Sequence, residues 1–309
     1  MGEIYKKARR VIIWLGAGID ETYVIMNSMA KLRKASDRYA YNDWRVSDKR
    51  WEEIWSDMQP ILKNEHPNLL ARQREGLHLL LRRPWFKRVW ILQEVANARA
   101  AIVLCGPISV SARIFAFVPS LLGIDPGPHC QAVLDIMPGP SRKHSWWSQK
   151  RDLHTLLVKF GTCYATDPRD RIYALLNMSS DACDSNFLRA EYTKSLKEVI
   201  QDTTLFLLSL HKLGRTIDSL PDWTLPHFLR VLNSLSNEVL KWAWEKGHKK
   251  FARLLVGRDD INVNSKDNDD LTPLCWAVQN RHEKFAKLLL GRDDIDVNSK
   301  VNDGLTPIC

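Results

Sequence analysis

The sequence predicts a helix-rich α/β domain followed by a short all-α solenoid, and three observations carry that prediction. Two short apolar runs, Val11–Leu15 and Ala100–Leu104, each lead into a glycine, as buried strands do. The stretches around them carry apolar residues at helical rather than alternating spacing. From His248 onward the chain copies itself. A shift of 34 residues lays His248–Cys275 on His282–Cys309 with 21 of 28 positions identical. A period of that length marks stacked helical repeats, each too small to bury its own apolar face.

Taken in order, Val11–Leu15 closes on Gly16-Ala17-Gly18, and a helix is expected over Glu21–Lys34 with Ile25, Met29 and Leu32 inward. Asp20 and Glu21 suit that helix start and would repel a phosphate, so the glycine turn reads as structural. Residues 48–81 read as helical around Trp51, Ile54, Trp55 and Met58 and again from Leu69, with Pro60 and Pro67 breaking the chain between. Across 83–106, Trp85, Val89, Leu92 and Ala96 form one helical stripe, and Trp90, Glu94 and Asn97 form its neighbour. Residues 107–150, rich in Pro-Gly pairs, are expected to be an insertion with little regular structure. Helices follow over 151–160 and after Asp167-Pro168-Arg169-Asp170, where Asp167 is placed to cap, and then after the Ser195/Glu198 capping box. Arg169 and Asp170 read as a structural ion pair. In the repeats, Thr272 and Thr306 cap helices that open with Pro273 and Pro307. A degenerate first repeat begins near Asn237.

Composition excludes several classes. The 309 residues carry a net charge of +9, and Gly247–Cys309 is balanced, with ten basic and ten acidic residues. The excess is scattered through the earlier part, which argues against a nucleic-acid surface. The six cysteines form no CxxC and no close pairs, so neither a zinc site nor a disulfide framework is expected. No apolar run is long enough to span a bilayer. Glu94 is the only carboxylate between Gly76 and Gly123, and it sits among Arg82, Arg83, Lys87, Arg88 and Arg99. That setting allows either a solvated ion pair or an acid with a chemical role.

The run Arg83-x-Trp85-x-x-Arg88-x-Trp90-x-x-Gln93-Glu94 resembles the first signature of the fungal heterokaryon-incompatibility (HET) domain. Asp167-Pro168-Arg169-Asp170 with Tyr173-Ala174-Leu175-Leu176 resembles the second. The repeats are similar to ankyrin repeats. The resemblance implies a TIR-like, flavodoxin-like region over 1–212, a linker over 213–236 and a truncated ankyrin array over 237–309. The family's opening strand and its following Trp-Ile-Asp segment have no counterpart, so an incomplete domain with an unpaired central sheet edge is expected.

The implied function is a cytoplasmic non-self-recognition and cell-death effector. Its ankyrin repeats would bind a protein partner through the hairpin tip Asp267, Asn268, Asp269 and Asp270, and homo-oligomers could form through the HET region. A non-enzymatic interaction scaffold is one alternative. The other uses Glu94 as the catalytic carboxylate of a TIR-like cleavage of NAD, as substrate and not cofactor. Trp90 and Glu94 keep the TIR Trp-to-Glu spacing, although Ile91 stands where that pattern has Cys. Arg83, Trp85, Arg88, Trp90, Gln93, Asp167, Arg169, Asp170 and Tyr173 are the implied structural frame. No cofactor or metal is implied.

Overall fold

The computed structural model describes residues 2–37, 44, 45, 47–213 and 220–299, and the chain divides into two units, 1–184 and 185–309. The first unit is a helix-rich α/β body built on a three-stranded sheet. It opens with α1 (Gly2–Lys7), β1 (Val11–Trp14) and α2 (Asp20–Ser36). Ile25, Met29 and Leu32 are all fully buried, as their spacing predicts. Asp20 and Glu21 lie in the first turn of α2, but the start is tied by Thr22. Its hydroxyl accepts from the Ile19 amide and donates to the Ile19 carbonyl, each at 2.8 Å.

Next come α3 (Lys49–Glu65) and α4 (Leu69–Leu81). Asp48 caps α3 by accepting the Arg50 amide. Pro60 does not break the chain as expected; it lies inside α3, and only Pro67 falls in the gap. The missing N–H at Pro60 leaves the Ser56 carbonyl without its helical donor, a local loss that the packing of Trp55 and Leu62 outweighs.

The single helix read through Trp85, Val89, Leu92 and Ala96 is also corrected. Pro84–Lys87 is a tight 3-10 turn, Arg88 is extended, and α5 begins only at Ile91 (Ile91–Asn97). The break arises because Arg88 bridges to Tyr164 in a parallel arrangement, with the Val89 amide donating to the Tyr164 carbonyl at 3.0 Å. Backbone pairing with a distant segment wins over local helical periodicity.

Strands β2 (Ala101–Cys105) and β3 (Ile108–Ser111) complete the sheet, in the order β1-β2-β3. β1 and β2 are parallel, with Val11 opposite Ala101 and Trp14 opposite Leu104; β2 and β3 form an antiparallel hairpin turning at Gly106, where φ is +53°. Val11, Ile13, Ala101, Val103, Cys105 and Val110 are buried on one face. The other face holds Ile12, Trp14, Ile102 and Leu104; Ile12 is 60% and Trp14 52% exposed.

The region 107–150 is not the irregular insertion expected. It contains β3 and then α6 (Ala112–Leu122), α7 (Pro128–Asp135), α8 (Pro140–His144) and α9 (Trp146–Gln149). The Gly-Pro pairs begin helices here instead of marking loops. Gly127 (φ +77°) and Gly139 (φ +155°) each precede a proline whose fixed φ and absent N–H suit a first helical turn. The unit ends with α10 (Leu153–Phe160), capped by Asp152, and α11 (Asp170–Leu176).

The second unit begins with α12 (Leu196–Leu207), where Ser195 and Glu198 form the expected capping box. Within 220–236 lie α13 (Leu225–Arg230), capped by Thr224, and a 3-10 turn at Leu232–Ser234. The repeat helices follow as α14 (Leu235–Glu245), α15 (Lys249–Val256), α16 (Pro273–Gln279) and α17 (Glu283–Leu290). Thr272 accepts the Cys275 amide and Pro273 opens α16, as expected; Thr306 and Pro307 lie outside the described residues. Among the described residues no helix is long and apolar enough to cross a membrane.

Candidate functional site

The two signatures, about 80 residues apart in sequence, meet in the first unit. The Trp90 indole Nε1 donates to the Asp170 carboxylate at 3.1 Å, and the Gln93 carboxamide donates to the Ala174 carbonyl at 2.8 Å. Gln93 is 2% exposed, and Tyr173 and Ala174 are buried beside it. These bonds fasten α5 to α11. The break before α5 places Trp90 at its N-cap, turned toward α11.

The remaining frame residues brace their surroundings. The Arg83 guanidinium donates to the Ala17 carbonyl at 2.9 Å and so holds the glycine turn after β1. That turn is filled by protein: a Cβ on Gly18 would lie 2.2 Å from the Tyr23 ring. Trp85 is buried edge-on against Phe86 at 5.0 Å. Arg169 forms an ion pair with Asp167 at 2.6 Å, and this pairing holds the Asp167 carboxyl below its usual range. Sequence spacing alone pairs Arg169 with Asp170. Asp167 does not sit next to α11; it accepts the Arg169 amide and closes the turn ahead of the helix.

Glu94 lies in the first turn of α5 and is half-buried. Burial raises its pKa above the ordinary 4.5, against the opposing effects of a hydrogen bond from Tyr5 and the charge of Arg88. Burial likewise raises the Tyr5 phenol, with the Glu94 charge adding to it. Tyr5, on α1, is therefore the direct partner of this carboxyl, and the arginines crowded around Glu94 in sequence do not supply one except through Arg88. No local spacing signals this contact, because Tyr5 and Glu94 are far apart in sequence. Arg142 was missed as well. Its Nη1 donates to the carbonyls of Ala96 and Ala98 at 2.9 and 3.1 Å, so a cation closes the C-terminal end of α5.

Other candidates fall away. Cys163 Sγ lies 4.0 Å from His129 Nε2, but burial pushes that thiol up to about 12, and the same nitrogen donates to the Phe86 carbonyl at 2.9 Å. An unionised buried thiol is not a nucleophile. An apolar groove of about 940 Å³ between α3 and α4, lined by Trp55, Pro60, Leu69 and Leu70, shares no lining residue with Glu94 or its frame. Among the described residues no cluster of His, Cys, Asp or Glu could hold a metal ion.

In the second unit the four hairpin residues divide. The Asp267 side chain is 3% exposed; it accepts the Asp269 and Leu271 amides at 2.9 and 2.8 Å and pairs with Lys241, whose side chain is 10% exposed. It holds the turn instead of presenting itself at the tip. Asn268 and Asp269 are exposed, and Asp270, at φ +62°, pairs with Lys266 at 2.9 Å. Asn237 fixes the same hairpin from α14 by donating to the Ser265 and Leu271 carbonyls.

Residues 1–94 match the family described as heterokaryon incompatibility protein (HET), and residues 218–301 match ankyrin repeats (3 copies). The HET match ends on Glu94, so the second signature lies beyond it; the ankyrin match takes in α13, ahead of Asn237. The chain is also similar to heterokaryon incompatibility protein 6, OR allele, of Neurospora crassa. The two are 25% identical over 232 residues, which cover 63% of this chain and 33% of the relative. The chain thus spans about a third of that curated relative's length. No solved structure matches.

Proposed function

We propose that this chain acts in fungal non-self recognition, its ankyrin repeats binding a protein partner and its HET segment carrying the consequence, regulated cell death. One observation carries the reading. A HET match and an ankyrin match occupy separate parts of one chain, which is itself similar to an incompatibility protein. The exposed pair Asn268 and Asp269, on a hairpin held rigid by Asp267, Lys241 and Asn237, supplies the contact surface. Pre-ordered loops lose less conformational entropy on binding. The test is affinity capture from fungal extract with the full chain and with Asn268→Ala/Asp269→Ala. A specific partner retained by the former and lost by the latter is expected; equal retention removes the hairpin from the reading.

Cleavage of NAD through Glu94, on a TIR-like arrangement, is the second reading. What favours it is a half-buried carboxyl with a phenol partner inside the HET segment. A carboxylate beside the ribose would stabilise the cationic character that develops as the glycosidic bond breaks. Nicotinamide release is measured for wild type and Glu94→Ala; equal rates end this reading.

A further inference from the structure

In the first unit, folding gathers cations from separate parts of the chain around the two indoles of α9. Residues 136–151 contain Arg142, Lys143, Lys150 and Arg151 and no Asp or Glu. The Trp146 and Trp147 rings stand at 81° to each other with centroids 5.7 Å apart, and both residues are half-buried. Lys159 Nζ, on α10, lies 4.6 Å over the Trp146 ring, and the Arg151 guanidinium lies 5.0 Å over Trp147. Phe160, 5.9 Å from Trp146, seats that indole on the core. On the same helix Val158 is 45% exposed, and Lys143, His144, Lys150 and Arg151 are exposed as well.

The protein leaves most of this charge unanswered. Among the described residues Arg142, Arg151 and Lys159 form no ion pair with a carboxylate, and Lys150, its side chain 71% exposed, reaches Asp152 at 3.4 Å. Arg142 donates to the Ala96 and Ala98 carbonyls, and burial followed by the charge of Arg151 lowers its pKa. Like charges held together without an acid between them attract an anion from outside.

From this patch we infer that the first unit docks on a membrane surface bearing anionic lipid, through α9 and the exposed part of α10. The cations meet the headgroups, while amphipathic indoles and Val158 enter the boundary between headgroup and chain, where tryptophan partitions best. Single-stranded nucleic acid fits less well. Successive bases need open ring faces to stack on, whereas these rings are nearly perpendicular and each already carries a cation over one face. Docking of this kind requires neither the ankyrin hairpin nor the carboxyl of Glu94.

The full chain is floated with vesicles of phosphatidylcholine alone and of phosphatidylcholine mixed with phosphatidylserine. Wild type is compared with Lys150→Glu/Arg151→Glu and with Lys246→Glu/Lys250→Glu, an exposed pair in the other unit that matches the charge change. Wild type and the second pair are expected to bind the mixed vesicles, less so as salt rises, and the first pair to bind at least about tenfold more weakly. No binding to mixed vesicles, equal binding to neutral ones, or equal loss in both double variants overturns the inference. Retention by single-stranded DNA without binding to vesicles assigns the patch to nucleic acid and overturns it too. Brominated acyl chains supply a readout on the wild type alone. They should quench its tryptophan emission in mixed vesicles, and unquenched emission refutes entry of the indoles.

Discussion

Gly76 sits in α4 where it crosses α2, and Gly76→Ala is the substitution whose cost the packing defines most sharply. A Cβ there would lie 2.2 Å from the Glu21 carbonyl oxygen and 2.9 Å from Ile25 Cγ2. Ordinary C···O contacts begin near about 3.3 Å, so the two helices would have to part by about 1 Å. That movement strains the buried Ser28–Gln73 hydrogen bond, 3.0 Å long, and loosens the Val24, Leu62 and Leu69 cluster beside it. Helix propensity acts in the other direction, since Ala is favoured over Gly by about 1 kcal/mol in a helix interior. Overpacking costs about 1–3 kcal/mol, and a strained buried hydrogen bond adds about 1 kcal/mol more. Because the obstacle is backbone and cannot rotate away, net destabilisation of about 1–3 kcal/mol is expected. The assay is the urea midpoint of the full chain by tryptophan fluorescence, with exposed Glu75→Ala as a control expected within about 0.5 kcal/mol. A Gly76→Ala protein as stable as wild type, or more so, would show that propensity wins and refute the close α2–α4 contact.

Three further outcomes follow from the same structure. Trp90→Phe keeps the ring but removes the donor to Asp170, and a loss of about 1–3 kcal/mol in urea unfolding is expected because the acceptor is charged. Glu94 has a raised pKa in the folded protein, so its contribution is fully present below the ordinary value of 4.5 and is lost as pH rises through the folded value. Glu94→Gln should therefore flatten the fall in stability between 4.5 and the higher folded value, and an unchanged pH profile would contradict the burial argument. In the second unit, Lys241→Met leaves Asp267 unpaired at 3% exposure and should cost about 3–5 kcal/mol, while Lys241→Met/Asp267→Leu should recover part of it, read by thermal unfolding.

Much of this fold is legible where local rules and global packing agree. The α2 core positions, the Ser195/Glu198 box, the Thr272 cap and the repeat period all emerge from spacing, because the features that produce them lie within a few residues of one another. Misreadings occur where distant contacts override local signals. Helical spacing across 85–96 gives no sign that Tyr164 captures Arg88 and splits the segment. The Gly-Pro pairs at 127–128 and 139–140 look like loops until the apolar residues between and after them are seen to pack. At the site, the motif residues are evident from sequence but their partners are not. Spacing pairs Arg169 with Asp170, whereas the structure shows Arg169 with Asp167 and Trp90 with Asp170. The hairpin does leave one readable sign. Gly304 stands one period after Asp270, and Asp270 has the positive φ that glycine tolerates best.

Arg292 reaches backward along the repeats, its guanidinium donating to the carbonyls of Val256 and Arg258, while the equivalent nitrogen of Arg258, one period earlier, is buried without a partner among the described residues. The linkage is directional: the later unit grips its predecessor through Arg292, while the matching nitrogen of Arg258 meets no carbonyl among the described residues. Losing a later unit would leave earlier ones intact, whereas deleting an early one would orphan the arginine behind it. Unravelling of the solenoid should therefore proceed from its carboxyl side, and lengthening there should need no change in what comes before.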